Sequence, residues 1–153
     1  MPVIDNKTKH AKPIDGPWTL TLNHVNGSSD KLELDELIDF VYDSRLITFA
    51  GVAFYENRIE IANPDEFTHI DLGIVKGISE VEVNGKSLGL KWYGFHNYAL
   101  NDSLQKGNNS IKVKVTTLLG NYLKSLEDNP VGQRWINWQK NKSMGMIGPV
   151  NLI

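Results

Sequence analysis

An alternation of apolar and polar residues between positions 70 and 115 constrains the fold of this 153-residue chain more than any other feature. A period of two over short runs is typical of β-strands with one buried face and one solvated face. Between two of the runs lies Asn84-Gly85, which suits a type I′ hairpin turn because both central residues need positive φ. Gly107-Asn108-Asn109 predicts a further chain reversal. The pattern therefore predicts the middle of an antiparallel β-sandwich. The apolar positions of the runs are Ile70, Leu72, Ile74, Val81, Val83, Ile111, Val113 and Val115.

The flanking segments extend the strand pattern, with two local exceptions. Trp18 begins an alternating run and is predicted to be a core residue. Residues 32–41 fit a helical period and predict a short helical turn. Gly51 interrupts a long strand region at residues 47–61 and predicts either a bulge or a close approach of another backbone. The apolar residues around Leu152 predict a strand that returns to the sheet.

Length and composition favour one globular domain with an ordinary core, since 41% of the residues are hydrophobic and 22% are charged. The net charge of −2 provides no long-range attraction to nucleic acid or to an anionic membrane. No apolar run approaches the roughly 20 residues that span a bilayer. The absence of cysteine excludes disulfides and thiolate metal sites. Residues 1–15 are polar and proline-containing and predict a linker or arm, which leaves residues 16–153 for the sandwich.

The order of the motifs also resembles a known module. Asp71-Leu72-Gly73 ends a strand, the pattern V-x-V-N-G-K-x-L-G occupies residues 81–89, and L-x-x-G-x-N occupies residues 104–109. Together they resemble the galactose-binding-like jelly-roll sandwich that accompanies the catalytic domains of family 2 glycoside hydrolases and of α-L-rhamnosidase-like bacterial enzymes. The resemblance implies an all-β jelly-roll fold and a non-catalytic accessory role. The flanking pieces that extend it are Gly16-Pro17-Trp18, residues 49–55 and Gly148-Pro149-Val150.

The resemblance carries further expectations about the setting of the chain. It implies a piece of a longer, exported glycoside hydrolase that works outside the cell or in the periplasm, with the catalytic acids on a separate barrel domain. The expected partner is carbohydrate or the catalytic domain of that parent, and neither nucleic acid nor membrane. No cofactor is expected. Related sandwiches sometimes carry a structural calcium ion, which is not predicted for this chain.

The residues themselves provide no catalytic or cofactor motif. Gly85-Lys86-Ser87 lacks both the earlier glycine and the strand-to-helix context of a phosphate-binding loop. Glu56 and Glu60 lie on a strand-like segment, where acids are usually solvated, whereas glycoside hydrolysis requires a close carboxylate pair and a raised pKa. The histidines are scattered singly, without the spacing of a metal site, and are predicted to be surface or satisfied polar residues rather than metal ligands. The chain is therefore predicted not to be catalytic by itself.

Two aromatic clusters are the candidate sites, because sugar recognition pairs flat apolar rings with polar groups that fix orientation. In the first cluster, Trp92, Phe95 and Tyr98 are expected to pack in structural positions. Tyr93 and His96 are expected to face outward and to contact carbohydrate.

The second cluster lies in a segment, residues 116–145, that lacks strand alternation. Trp135 and Trp138 are three residues apart, so one helical turn would place them on a common face. Arg134 and Asn137 flank them and would hydrogen-bond sugar hydroxyls. The alternative is that the two tryptophans form a small local core.

Two mechanisms remain open for the module. Carbohydrate binding predicts exposed, coplanar aromatic rings beside polar groups. A purely structural role, in which the domain packs on the parent's catalytic barrel, predicts an exposed apolar patch.

Overall fold

The computed structural model describes residues 11–117 and 142–153, and twelve β-strands lie in these ranges. The strands are β1 (Lys12–Pro13), β2 (Trp18–His24), β3 (Ser29–Leu34), β4 (Gly51–Ile61), β5 (His69–Asp71), β6 (Ile74–Lys76), β7 (Ile78–Val83), β8 (Lys86–Lys91), β9 (Asn97–Ala99), β10 (Gly107–Thr116), β11 (Gly145–Gly148) and β12 (Asn151–Leu152). Short 3-10 turns occupy Phe40–Tyr42 and Pro64–Glu66. No helix in these ranges has both the length and the apolar character of a membrane span.

The strands form two main antiparallel sheets. The larger has six strands in the spatial order β3-β2-β4-β10-β7-β8, and the smaller has four in the order β1-β12-β5-β9. A separate antiparallel pair joins β11 to β6. The apolar residues of all three groups belong to one buried cluster. The structure therefore confirms the predicted all-β antiparallel sandwich.

The period-two pattern of the sequence is what buries the inner face of the larger sheet. Trp18, at the start of β2, is buried as predicted, and β10 alternates buried and partly exposed residues along most of its length. The register places Val113 between Tyr55 on β4 and Val81 on β7, and all three are buried. Each fully buried aliphatic side chain of this kind contributes about 1.5–3 kcal/mol to folding.

The hairpin between β7 and β8 has the predicted turn. Val83 pairs with Lys86, so Asn84 and Gly85 are the two central residues, with φ of 50° and 80°. Positive φ at both positions is the signature of a type I′ turn, whose twist matches that of the flanking strands. The reversal predicted at residues 107–109 is displaced, because Gly107 already opens β10.

Two predictions of local structure were left open by the sequence, and the structure narrows both. The short helical turn predicted within residues 32–41 is confined to Phe40–Tyr42, which form a 3-10 turn, and β3 occupies the start of the stretch as far as Leu34. Asp39 caps that turn by accepting a hydrogen bond from the backbone N–H of Val41 at 3.0 Å. Around Gly51 the register of β4 is continuous with both neighbours, so there is no bulge. The alternative is correct, because a Cβ at Gly51 would collide with the carbonyl group of Asn23.

The strand pairing of the sandwich includes residues before Gly16. Lys12 and Pro13 pair with Leu152 and Asn151 at the edge of the smaller sheet. Ile14 follows and is buried in the common core. The segment that the sequence assigned to a linker or arm therefore contributes one short strand.

Candidate functional site

An open groove of about 540 Å³ lies beside the loop that connects β8 to β9. Residues 75–77, 92–94, His96 and residues 142–143 line it, and we refer to it as the aromatic groove. The end of β6, the β8–β9 loop and the segment before β11 thus converge on one site. Its volume lies in the range of small-molecule sites, about 300–1,000 Å³.

Two aromatic rings form one wall of the aromatic groove. Trp92 is 67% exposed and Tyr93 is 73% exposed. Their ring centroids are 4.7 Å apart and their planes meet at 72°, which is an edge-to-face arrangement. The pair therefore presents two apolar faces in different directions and not the single coplanar platform that the carbohydrate-binding mechanism predicts.

His96 is held at the back of the groove by a buried hydrogen-bond network. The ring is only 4% exposed, and its Nδ1 lies 2.5 Å from Oγ of Ser79. Ser79 Oγ is also 2.7 Å from the hydroxyl of Tyr98, and that hydroxyl donates a hydrogen bond to the carbonyl oxygen of Ser79 at 2.7 Å. These three polar side chains satisfy one another, which is the usual condition for burying them.

The number of protons in this network assigns the tautomer of His96. The single hydroxyl proton of Tyr98 is donated to the Ser79 carbonyl, so the Ser79 hydroxyl must donate to Tyr98. Ser79 Oγ then accepts from His96, which places the imidazole proton on Nδ1. Nε2 consequently carries a lone pair, and within the described ranges no hydrogen bond to it is formed.

The imidazole of His96 is neutral near pH 7. Burial lowers its pKa below the ordinary value of 6.5, and the positive charge of Lys91 lowers it further. Nδ1 of His96 points toward the fully buried Ser79. His96 therefore lines the groove through other atoms of its ring. The His96 ring that borders the groove is therefore neutral and fixed in orientation.

Basic side chains complete the lining. Lys76 and Lys142 both line the groove and are exposed, and among the described lining residues none carries a carboxylate. The acid adjacent to this region is Asp39, which is buried. Burial acts to raise the pKa of Asp39, but hydrogen bonds from the Ser143 side chain and two backbone N–H groups, together with the charge of Lys76, lower it on balance.

The first aromatic cluster of the sequence is arranged differently from the prediction. Tyr98 is buried and Tyr93 faces outward, both as expected. The expectation that Trp92 and Phe95 pack in structural positions is wrong, because they are 67% and 92% exposed. The expectation that His96 faces outward is also wrong, although its ring lines the groove. Strand parity fails here because the residues between β8 and β9 form a loop.

The second aromatic cluster lies outside the described residues. Arg134, Trp135, Asn137 and Trp138 all fall between positions 118 and 141. Their assignment as carbohydrate-binding residues stays a prediction, as does the binding role of Tyr93 and His96.

Several contributors to the groove have no local signal in the sequence. Lys76 and Lys142 are 66 positions apart, and nothing in the sequence distinguishes them from ordinary surface lysines. Ser79 occupies an inward position of β7, where an apolar residue is typical. Only the partnership with His96 and Tyr98 explains a serine there, and that partnership depends on the three-dimensional fold.

The described residues contain neither a metal cluster nor a close pair of acids at the groove. No three His, Cys, Asp or Glu side chains in residues 11–117 and 142–153 come together as ligands for an ion. Glu56 lies on β4 and is 3.9 Å from the ammonium group of Lys112. A shallow depression of about 310 Å³ borders Glu56, and no other acid is among the described residues that line it.

Sequence comparison relates the chain to one much longer curated protein. No family model matches the sequence. A putative β-glucuronidase from Formosa agariphila is 28% identical, and the alignment covers 90% of this chain but 15% of that protein. The chain thus spans less than one sixth of the length of this relative.

Solved structures show the same fold inside large glycoside hydrolases. A rhamnosidase from Novosphingobium sp. PP1Y superposes with a TM-score of 0.79 at 22% identity, over 92% of this chain and 14% of that one. A GH2 β-galacturonidase from Eisenbergiella tayi superposes with a TM-score of 0.62 at 14% identity, over 93% of this chain and 24% of that one. The resemblance drawn from the sequence is therefore confirmed at the level of the fold, which is that of a segment within much larger glycoside hydrolases.

Proposed function

We propose that this chain is a non-catalytic accessory domain of a larger glycoside hydrolase and that it binds carbohydrate in the aromatic groove. One observation supports the accessory role above all others: at least 90% of the chain matches only 14–24% of each of three glycoside hydrolases. The acids for hydrolysis would then belong to another domain of the parent protein. We include in the proposal that the parent is exported.

The composition of the aromatic groove supports the carbohydrate-binding part. Sugars present apolar C–H faces together with hydroxyl groups that both donate and accept hydrogen bonds. Trp92 and Tyr93 supply exposed rings, and the ring of His96, fixed by its hydrogen bond to Ser79, also lines the groove. Lys76 and Lys142 also line the groove, and each carries an ammonium group. Such a mixture of aromatic surface and few oriented polar groups is typical of ligand sites.

Calorimetric titration of the isolated domain with a panel of oligosaccharides tests this proposal. We expect Trp92→Ala to weaken binding about tenfold, as truncation of an aromatic at a binding hot spot does. Its control is Tyr42→Ala, because Tyr42 is an aromatic residue that is even more exposed (88%) and does not line the groove. Both variants should keep the stability of the parent sequence, since neither ring is buried. Equal affinities for the two variants would show that the groove is not the binding site.

A structural role is the second candidate, and Phe95 is the observation that favours it. The ring is 92% exposed, carries no polar atom and does not line the groove, and Leu90 at the end of β8 is also half exposed. A ring of this kind gains free energy when another protein surface covers it. In this alternative the β8–β9 loop packs against the catalytic domain of the parent.

Phe95→Ser separates the two candidates. If Phe95 is a packing contact, the substitution lowers the melting temperature of the full-length parent but leaves that of the isolated domain unchanged. Tyr42→Ser serves as the control for loss of an exposed ring elsewhere. Unchanged melting of both proteins in the Phe95 variant would remove the structural candidate, while leaving oligosaccharide binding to be decided by the titration.

A further inference from the structure

Two Asn-Gly dipeptides occupy hairpin turns of the larger sheet. Asn26-Gly27 lies between β2 and β3, and Asn84-Gly85 lies between β7 and β8. Asparagine followed by glycine is especially prone to deamidation, because glycine has no side chain to hinder the approach of its backbone nitrogen to the side-chain amide. Both asparagines are exposed, and a Cβ at either glycine would meet nothing within 4 Å. Neither the dipeptide sequence nor the space around the turns therefore distinguishes the two sites.

The hydrogen bonds of the Asn84 side chain restrain it against residues outside its own turn. Nδ2, the leaving group in deamidation, donates to the carbonyl oxygen of Ser103 and to Oδ1 of Asn109, both at 2.8 Å. Oδ1 of Asn84 accepts from the backbone N–H of Ser110 at 2.9 Å. The side-chain amide of Asn84 therefore cannot move to the backbone nitrogen of Gly85 until these hydrogen bonds are broken.

The side chain of Asn26 is hydrogen-bonded through its oxygen alone. Oδ1 accepts from the backbone N–H of Ser28 at 2.8 Å and from the Ser28 hydroxyl at 2.6 Å. Within residues 11–117 and 142–153, no acceptor is bonded to Nδ2 of Asn26. Both donors lie where negative charge develops when a nucleophile attacks Cγ, and donors placed in this way stabilise such a transition state. The leaving nitrogen is at the same time unrestrained.

We infer that Asn26 is a site of spontaneous covalent modification, deamidation to aspartate and isoaspartate, and that the folded chain protects Asn84 from it. The N–H of Gly27 first leaves the carbonyl oxygen of His24, to which it is hydrogen-bonded at 2.9 Å. The Gly27 nitrogen then forms a bond to Cγ of Asn26 while the Cγ–Nδ2 bond breaks, and the Gly27 amide proton departs with Nδ2 as ammonia. Water opens the resulting succinimide at the side-chain carbonyl to give aspartate, or at the backbone carbonyl to give isoaspartate. This inference is independent of the proposed carbohydrate binding.

Peptide mapping of the purified chain by mass spectrometry, during incubation at mildly alkaline pH, tests the inference. We expect Asn26 to lose its amide at least about tenfold faster than Asn84, because the reaction at Asn84 must first break several hydrogen bonds. A mixture of aspartate and isoaspartate at position 26 identifies the succinimide, since direct hydrolysis of the amide gives aspartate alone. Retention of the amide at Asn26, or its equally fast loss at Asn84, would overturn the inference.

The same incubation in guanidinium chloride separates the effect of the fold from that of the local sequence. In the unfolded chain neither asparagine keeps its hydrogen bonds, so the difference between the two rates should disappear. A difference that persists in the unfolded chain would assign the selectivity to the neighbouring residues and would overturn the protection of Asn84 by the fold.

Ser28→Ala tests the contribution of the Ser28 hydroxyl. The substitution removes one of the two donors to Oδ1 of Asn26 and should slow deamidation about fivefold, the effect of one neutral hydrogen bond. Ser29→Ala is the matched control, because this neighbouring hydroxyl donates to Oδ1 of Asn23 at 3.0 Å. Both serines are exposed, so both variants should keep the stability of the parent chain. Equal rates at Asn26 in the two variants would overturn the role assigned to Ser28.

Discussion

His96 is a polar residue that is buried with its Nδ1 hydrogen-bonded to Ser79. Ser79 supplies the acceptor for Nδ1, and Tyr98 in turn accepts from Ser79. Each link is a neutral hydrogen bond between groups that are nearly inaccessible to water. Removing one member of such a network leaves the others desolvated and unpaired, which costs more than the hydrogen bond itself contributes.

Burial of His96 predicts a pH dependence of stability. Its pKa is lowered in the folded chain, chiefly by burial and then by Lys91, so the unfolded chain binds the proton more readily. The free energy of unfolding should therefore decrease as the pH falls from about 6.5 toward the lower folded pKa, and the contribution of His96 should be complete above 6.5. Urea denaturation at pH values from 7 to 5 measures this slope.

Substitution of histidine identifies the residue responsible. His96→Gln should abolish most of the decrease in this pH window, whatever its effect on absolute stability. His69→Gln removes an exposed histidine of β5 and should leave the slope in place. A slope that persists in His96→Gln would assign the pH dependence to another group.

Gly85 is the residue on which the β7–β8 turn depends. Its φ is 80°, and a Cβ there would meet nothing within 4 Å, so the backbone angle alone opposes a side chain. Gly85→Val should reduce the free energy of unfolding by about 1–2 kcal/mol, because a β-branched residue resists positive φ. Gly85→Asn is the control and should cost less, since asparagine tolerates this region. Equal denaturant midpoints for both variants and the parent chain would contradict the turn assignment.

At the scale of elements, two asparagines from separate motifs of the sequence join the β7–β8 hairpin to β10. The side chain of Asn84 donates to Oδ1 of Asn109 at 2.8 Å and accepts from the backbone N–H of Ser110 at 2.9 Å. Asn109 also accepts from the backbone N–H of Gln105 and donates to the carbonyl groups of Gln105 and Gly107. The two asparagines therefore close the end of the sheet, which explains their presence in structural terms.

Truncation of Asn109 should consequently be costly. The residue is 1% exposed, and Asn109→Ala would leave backbone groups of Gln105 and Gly107 without partners. We expect a loss of about 3 kcal/mol, since the Asn109 side chain loses several part-buried hydrogen bonds at once. Asn108→Ala is the matched control, because this neighbour on the same strand is exposed. Similar denaturant midpoints for the two variants would show that the network contributes little.

The elements differ in how far the sequence determined them. The alternation around Val113 and Trp18 predicted strands correctly, because a period of two directly reports which face is buried. Parity failed at residues 92–96, where the chain leaves the sheet and successive side chains no longer point to opposite sides. Gly51 shows a second limit of sequence-based prediction. A β-bulge and a close approach of another backbone both favour glycine, so the sequence is the same in the two cases. Only the register of β4 distinguishes them.

At the scale of the whole molecule, the outer face of the larger sheet and the β8–β9 loop have opposite character. On the sheet, Lys114 lies 3.3 Å from a carboxylate oxygen of Glu80, and the ammonium group of Lys112 is 4.8 Å from the ring centroid of Phe54. Charges at this exposure contribute little to stability, but they keep the face hydrated. Among the residues that the structure describes, three of the four exposed large aromatic side chains lie instead at the loop, where both proposed functions place the contact.

The site was less predictable than the fold because it is assembled from distant segments. Residues 75–77, 92–96 and 142–143 meet only through the sandwich, and nothing in their local patterns indicates that they are neighbours. The sequence did direct attention to the aromatic residues that follow the hairpin. It did not identify the lysines or Ser79, because a surface lysine and a strand serine are common in any sandwich.

The distribution of acids predicts the absence of hydrolytic activity in the isolated chain. Glu56 and Glu60, the acids that the sequence raised as a possible pair, lie four residues apart on β4. A strand rises about 3.3 Å per residue, which separates their backbone positions by about 13 Å. Retaining and inverting glycosidases hold their carboxyl groups about 5–9.5 Å apart across the scissile bond. Glu56 is moreover half exposed and lies 3.9 Å from the ammonium group of Lys112, on the open surface of the sheet and not in a cleft.

We therefore expect the purified chain to release no product from aryl rhamnosides, galactosides or glucuronides, even at high protein concentration and long incubation. The measurement needs a control against a contaminating enzyme. The two single variants Glu56→Gln and Glu60→Gln, purified in the same way, supply it. Turnover that is equal in the parent chain and in both variants would come from a contaminant. Turnover that disappears in either variant would place a catalytic acid on the outer face of β4 and would contradict the accessory role, because that role assigns hydrolysis to another domain.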